Sequence, residues 1–163
     1  MALTEGKLRM QALSLLHQKL YMTEKYTEVN CKDYIKELLE YLSIAFKSNY
    51  SDVKFNLDID DFKLNLDQAV PLGLILNELI TNSLKHSGKD ELRIDLTAKK
   101  EKENIRITLK DNGKGISQEQ FENSSSFGIS IIKSLVDQIN GKLSVGCIDG
   151  AHFKLEFVNK ETE

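Results

Sequence analysis

Apolar residues recur along this chain with two periods, and the changes between them mark out its elements. Over 5–21 (EGKLRMQALSLLHQKLY), Leu8, Leu13, Leu15, Leu16 and Leu20 fall at helical spacing. This pattern begins almost at the first residue without a clear cap, as would a helix cut out of a longer protein. A second helical pattern covers 31–48, carried by Tyr34, Ile35, Leu38, Leu39, Leu42 and Phe46. Period two then takes over in VKFNLDI (53–59) and in the short FKLNL (62–66), which predicts two strands. Asp67 is placed to cap a long helix reaching about Ser87, with Pro71 in its early turns and Gly88 beyond its end. LRIDLTAKK (92–100) and NIRITLKD (104–111) alternate again and form a hairpin across EKE. A further helix runs from about Phe127 to Asn140, with Gly141 just past its end. KLSVGC (142–147) and AHFKLEFV (151–158) close the chain as a hairpin around Asp149-Gly150.

Strands that arrive mostly as hairpins, with helices between, do not make the regular alternation of a doubly wound parallel sheet. They predict an α+β fold: a two-layer sandwich of a mixed, mainly antiparallel sheet with helices on one face. The length of 163 residues suits one domain with a short appendage. A net charge of −3 is not the footprint of a nucleic-acid binder, and no basic run marks a membrane surface. No apolar run approaches the roughly 20 residues of a membrane-spanning helix, and no signal peptide is visible. Cys31 and Cys147 have neither metal nor redox spacing and read as two buried or idle thiols of a reducing compartment.

Three motifs carry possible chemistry. In LNELITNSLKH (76–86), Glu78, Asn82 and Lys85 fall within about a 60° arc of a helix. Leu72, Ile75, Leu76 and Leu79 occupy the neighbouring arc, so the helix can bury one side and turn the other into a cleft. The amide oxygen of Asn82 suits Mg²⁺, which keeps several waters and takes few protein ligands. Glu78 is placed to accept a proton or hold a water, and Lys85 is a point charge suited to phosphate. A partly solvated helix with a Glu–Lys pair shows the same stripe. DNGKG (111–115) directly follows a strand. Its glycines allow backbone to approach a flat ligand, and the Asp111 carboxylate can accept from an adenine amino group where guanine presents a carbonyl. A plain turn uses the same residues. In SSSFGISII (124–132), Gly128 sits at a helix start, a ready site for phosphate, or simply a small residue at a helix entry. The intervening SQEQFENSSS is polar and low in bulk, as expected of a mobile loop that closes over a nucleotide.

In this order, NELITN, DNGKG and FGISII resemble the GHKL ATP-binding family of sensor histidine kinases, type II topoisomerases and a heat-shock chaperone, over roughly 50–158. Upstream, RMQALSLLHQKLY followed by DYIKELLEYL resembles the bacterial histidine kinases of the second HisKA-type subfamily, whose short ATP lid is similar to the 116–127 loop. The resemblance implies that 1–24 are the truncated end of the second dimerisation helix and 25–163 the ATP-binding catalytic domain. It implies Asn82 as the Mg²⁺ ligand, Glu78 as its acidic catalytic partner, Lys85 as a second catalytic residue that also binds the phosphates, and His86 near the phosphates. It implies Asp111 as the adenine-binding acid, with Gly113, Gly115 and Ile116 shaping its loop, and Gly128, flanked by Phe127 and Ser130, in the second glycine box. The implied activity is transfer of the γ-phosphate of Mg-ATP to a histidine on a dimerisation helix missing here. A response regulator receiver domain would then take the phosphoryl group. The implied whole protein is a bacterial homodimer whose kinase region is cytoplasmic, with or without a membrane anchor elsewhere in the full chain, and this part touches neither nucleic acid nor membrane.

Two departures bear on that expectation. The second glycine box reads FGIS, with one glycine, and the late Gly-Thr pair of the family is Gly150-Ala151, without the hydroxyl. Phosphate grip and adenine hydrogen bonding are therefore expected to differ, with Ser130 a substitute phosphate contact. Of the three histidines, His17 lies well after the acceptor position and reads as a helix-surface or packed residue. His86 sits at a helix C-terminus, where the dipole favours its charged form, and His152 lies on a strand. Two other functions share these motifs: a nucleotide-binding regulatory module without kinase output, and an anti-sigma type of serine kinase, against which the dimerisation-like first segment speaks.

Overall fold

The computed structural model describes residues 28–46, 52–86 and 91–160. The elements, in order, are β1 (Glu28–Asn30), α1 (Cys31–Phe46), β2 (Asp52–Ile59), β3 (Lys63–Asn65) and α2 (Leu66–His86). Then come β4 (Glu91–Glu101), β5 (Asn104–Asp111), α3 (Gln118–Glu122), α4 (Phe127–Gln138), β6 (Lys142–Cys147) and β7 (Ala151–Val158). The helical pattern over 5–21 lies outside the described residues.

A five-stranded sheet has the order β2-β4-β5-β7-β6, with β2 parallel to β4 and every other pair antiparallel. This is the α+β arrangement that the hairpins predict. Alternation sorts the two sides of each strand. Leu92, Ile94, Leu96 and Ala98 of β4, Ile105, Ile107 and Leu109 of β5, and Phe153, Leu155 and Phe157 of β7 are all buried. Ile75, Leu76 and Leu79 of α2 meet that surface at Ile107, Leu109, Phe153 and Leu155. The outward positions carry ion pairs across strands, among them Lys54–Glu91 at 2.6 Å and Arg106–Glu156 at 2.9 Å. Exposed pairs of this kind contribute roughly 0–1 kcal/mol each, so the apolar layer holds the domain together.

A second, two-stranded sheet pairs β1 with β3 and starts both long helices. Each of its strands ends in an asparagine. Asn30 Oδ1 accepts from Asp33 N at 3.0 Å and Asn65 Oδ1 from Gln68 N at 3.0 Å, so both side chains cap a helix. The cap of α2 is therefore Asn65 and not Asp67, which lies inside the first turn, where the helix dipole still favours an acid. Asn65 Nδ2 also donates to the Lys160 carbonyl at 2.8 Å, and Gln68 exchanges hydrogen bonds with Val158 and Lys160, which fastens the chain beyond β7 to the start of α2. At the end of α4 the left-handed residue is Asn140 (φ 51), one before the glycine that the sequence points to. Asn140 N–H donates to Asp137 and Gly141 N–H to Val136, the paired bonds of a Schellman motif, and asparagine tolerates that backbone.

The helices α1 and α2 meet at a notch. Tyr34 is buried against Gly73, where a Cβ would fall 1.6 Å from Tyr34 Oη. That hydroxyl has no hydrogen-bond partner among the described residues. Cys31 is buried nearby, and burial pushes its thiol up to about 12, so it stays protonated and inert. Alanine gains about 1 kcal/mol over glycine in a helix, but overpacking costs about 1–3 kcal/mol, and here the clash is with the hydroxyl oxygen, and behind it Cζ, of a buried tyrosine. Gly73→Ala is expected to lower stability in urea unfolding. Tyr34→Phe is expected to be neutral or stabilising, because it removes a buried hydroxyl without a partner, and to reduce the loss caused by Gly73→Ala.

Candidate active site

The inward row of β5 runs Ile105, Ile107, Leu109 and then Asp111, which is only 5% exposed. A carboxylate in a core-facing position needs donors, and three reach it. Oδ1 accepts from Gly113 N at 2.9 Å and Ala151 N at 2.9 Å, and Oδ2 accepts from Ser83 Oγ at 2.5 Å. The loop after Asp111 is anchored to β4 by Asn112, whose Oδ1 accepts from Arg93 N at 2.9 Å and whose Nδ2 donates to Glu91 O at 3.1 Å. Two glycines are required here. Gly115 has φ 74 and lies against Cys147, where a Cβ would be 2.3 Å from Sγ. Gly150 has φ 127, and a Cβ there would be 1.8 Å from the Asp111 carbonyl oxygen.

Around Asp111 opens a cavity of about 420 Å³, a volume in the range of small-molecule sites. The helix α2 contributes Asn82, Ser83 and His86, and the loop after β5 contributes Lys114, Gly115 and Ile116. Gln120 and Phe121 come from α3, Ser124 and Ser126 from the following turn, Ile129 from α4, and Ala151 and Phe153 from β7. Its walls are thus apolar (Ile116, Phe121, Ile129, Phe153), with polar groups along α2 and at Asp111. The roof is built rather than loose. Ser117 and Gln120 form a reciprocal capping box at the start of α3, and Gln118 Oε1 accepts from Val145 N at 2.7 Å. Phe121 packs edge-on against Phe153, with ring centroids 6.2 Å apart, and Lys133 Nζ lies 5.6 Å from the Phe121 ring centre.

Of the residues singled out in the sequence, Asn82, His86, Asp111, Gly115 and Ile116 line this cavity. Glu78 is buried, Lys85 is half-buried, and neither is among the lining residues. The side of α2 that meets the cavity is therefore 82–83–86, rotated from the 78–82–85 stripe, and the Ser83–Asp111 bond fixes that rotation. Gly113 serves the site through its N–H on Asp111. Phe127 is 69% exposed at the start of α4, next to half-buried Gly128. Ser130 is exposed and donates its hydroxyl to the Ser126 carbonyl at 3.1 Å. His152 faces away from the cavity row, and Cys147 is exposed beside Gly115.

The sequence reading missed Ser83, Lys114, Gln120, Phe121 and Phe153. For α3 a signal exists: Ser117-x-x-Gln120 is a capping-box spacing, followed directly by an aromatic. The expectation of a low-bulk mobile loop overlooked that Phe121 is buried in it. Asp111 also stands out on closer reading, because it falls in phase with three apolar residues of its strand.

Comparison with known proteins agrees with this geometry. The family model described as histidine kinase-, DNA gyrase B-, and HSP90-like ATPase matches residues 67–161, and the HisKA_2 histidine kinase model matches 1–46. Blue-light-activated histidine kinase 2 of Erythrobacter litoralis (strain HTCC2594) is 30% identical over 149 residues, covering 84% of this chain and 41% of that protein. Sensor histidine kinase PdtaS of Mycobacterium tuberculosis is 25% identical over 149 residues, covering 88% of this chain and 29% of that protein. The chain thus spans well under half the length of these relatives. The histidine kinase domain of the Erythrobacter litoralis EL346 blue-light-activated kinase superposes with a TM-score of 0.82 at 21% identity, over 94% of this chain and 74% of that one, which shows the same fold. The chain belongs to the histidine kinase-, DNA gyrase B-, and HSP90-like ATPase family, as the ATP-binding catalytic domain of a sensor histidine kinase of the HisKA_2 type.

Proposed function

We propose that the cavity holds ATP with its purine on Asp111, and that the bound nucleotide gives its γ-phosphate to a histidine of a dimerisation helix. The observation that carries the proposal is a buried carboxylate held by three donors at the wall of an apolar slot of nucleotide size. With Oδ1 taken by two N–H groups, Asp111 is oriented to accept from an exocyclic amino group, and Ile116, Phe121, Ile129 and Phe153 offer flat apolar surface to the ring. One turn of α2 then brings Asn82 and His86 along the same wall, where the triphosphate of a base-anchored nucleotide would run.

The donor set fits Mg²⁺ in the manner typical of that ion: one neutral oxygen ligand, Asn82, with the phosphates and waters completing the shell. Mg²⁺ when bound supplies charge neutralisation at the phosphates. Lys114 and His86 add positive or donor groups within the cavity, and Glu78 and Lys85 support Asn82 from the neighbouring turns of α2. The role of the protein in such a transfer is chiefly positioning and electrostatic stabilisation. In this reading the working unit is a homodimer in the cytoplasm, and a response regulator receiver domain takes the phosphoryl group onward. Among the described residues, no helix is long and apolar enough to cross a membrane.

Calorimetric titration with ATP, with and without Mg²⁺ and with GTP as control, tests the reading. A hydrogen bond to a charged group is worth about 1.5–3 kcal/mol, so Asp111→Ala is expected to weaken ATP binding roughly tenfold or more. An unchanged affinity would refute the adenine assignment. Asn82→Ala is expected to remove mainly the Mg²⁺-dependent part of the affinity; equal losses with and without Mg²⁺ would count against the metal role. Acid-labile labelling of a supplied HisKA_2 dimerisation helix from γ-labelled ATP is expected for a kinase, and acid-stable labelling would point to a serine kinase instead.

A further inference from the structure

We propose that Ser83 is a base-specificity residue: with Asp111 it forms an edge of two hydrogen-bond acceptors that fits an exocyclic amino group and rejects a ring carbonyl. This rests on the reading above that the purine sits on Asp111. Ser83 and Asp111 are each 5% exposed, and Ser83 Oγ lies 2.5 Å from Asp111 Oδ2. The other two contacts of the carboxylate are backbone N–H groups on Oδ1. An ionised carboxylate only accepts, so the hydroxyl must donate its single proton to Oδ2. The Ser83 oxygen is then left with lone pairs alone. Oδ1 is already doubly occupied, which leaves Oδ2 and Ser83 Oγ as the two atoms with acceptor capacity at this wall.

An amino group can point one N–H between these two oxygens, 2.5 Å apart, as a three-centre bond. A carbonyl oxygen brings lone pairs against lone pairs, and buried acceptors left unpaired discriminate strongly. Ala151 contributes only its backbone N–H, so among the described residues Ser83 is the one hydroxyl that reaches this carboxylate. Without it, a water from the cavity that Ser83 and Asp111 line is expected to reach the carboxylate. Water can turn a proton toward a carbonyl, so the edge loses its acceptor-only character.

The test compares ATP with inosine triphosphate, which carries a carbonyl in place of the amino group on the same triphosphate. Their affinities are measured by calorimetry for the wild-type chain, Ser83→Ala, Ser83→Thr and Asp111→Ala. The wild type is expected to prefer ATP, Ser83→Ala to reduce the ATP-to-inosine preference by about threefold to tenfold, and Ser83→Thr, which keeps the hydroxyl, to retain most of it. If Ser83→Ala leaves the preference unchanged, or weakens both nucleotides equally, while Asp111→Ala weakens ATP binding, the specificity role falls and the Asp111 reading stands. If Asp111→Ala binds ATP as the wild type does, that reading falls and takes this proposal with it.

Discussion

A carboxylate taken out of water must be met by donors, and the burial of Asp111 imposes that requirement on three separate parts of the chain. Ser83 comes from the middle of α2, Gly113 from the loop after β5, and Ala151 from the first residue of β7. Leaving any of these donors out of place strands a buried charge, which is far more costly than a lost surface contact. The helix, the loop and the last hairpin are therefore placed together, and the cavity is the space that this common anchor leaves open. Gly150 belongs to the same constraint, because the close approach of the β6–β7 turn to the Asp111 backbone admits no side chain there.

The opposite side of the cavity depends on packing rather than charge. Phe121 on α3 lies between Phe153 of the sheet and the ammonium group of Lys133 on α4, while Gln118 ties the same short helix to β6. A helix of so few residues has little stability of its own; its capping box and these three anchors supply it. The segment between the DNGKG loop and α4 thus serves as a shaped wall for a flat ligand.

Much of this was legible in the sequence, for reasons that differ by element. The strands of the two hairpins are readable because one side of the sheet is solvated, so alternation is clean, as in Ile105, Ile107 and Leu109. Alternation does not say which strands are neighbours, and the parallel pairing of β2 with β4 follows only from the assembled sheet. Asn65 and Asp67 are equally good caps by residue type; the structure decides for Asn65 because β3 runs up to it and Lys160 holds its amide. The polar stripe of α2 identified the right helix but not the side that meets the cavity. Rotation about a helix axis is set by a tertiary contact, here Ser83 on Asp111, and local periodicity does not resolve a shift of one residue. Ser83 itself gives no signal, since a serine in a helix is ordinary until its acid partner is brought opposite.

The sequence also contains two asparagine–glycine pairs, Asn112-Gly113 and Asn140-Gly141. In an unfolded chain such pairs age chemically: the glycine nitrogen attacks the asparagine side-chain carbonyl and ammonia is lost. Here both nitrogens are turned away from that reaction, since Gly113 N–H is given to Asp111 Oδ1 and Gly141 N–H to the Val136 carbonyl. The amide of Asn112 is further clamped between Arg93 N and the Glu91 carbonyl. Chemical lifetime is thereby tied to time spent folded. Deamidation at Asn112 would replace the donor facing the Glu91 carbonyl with a second carboxylate, one residue from Asp111.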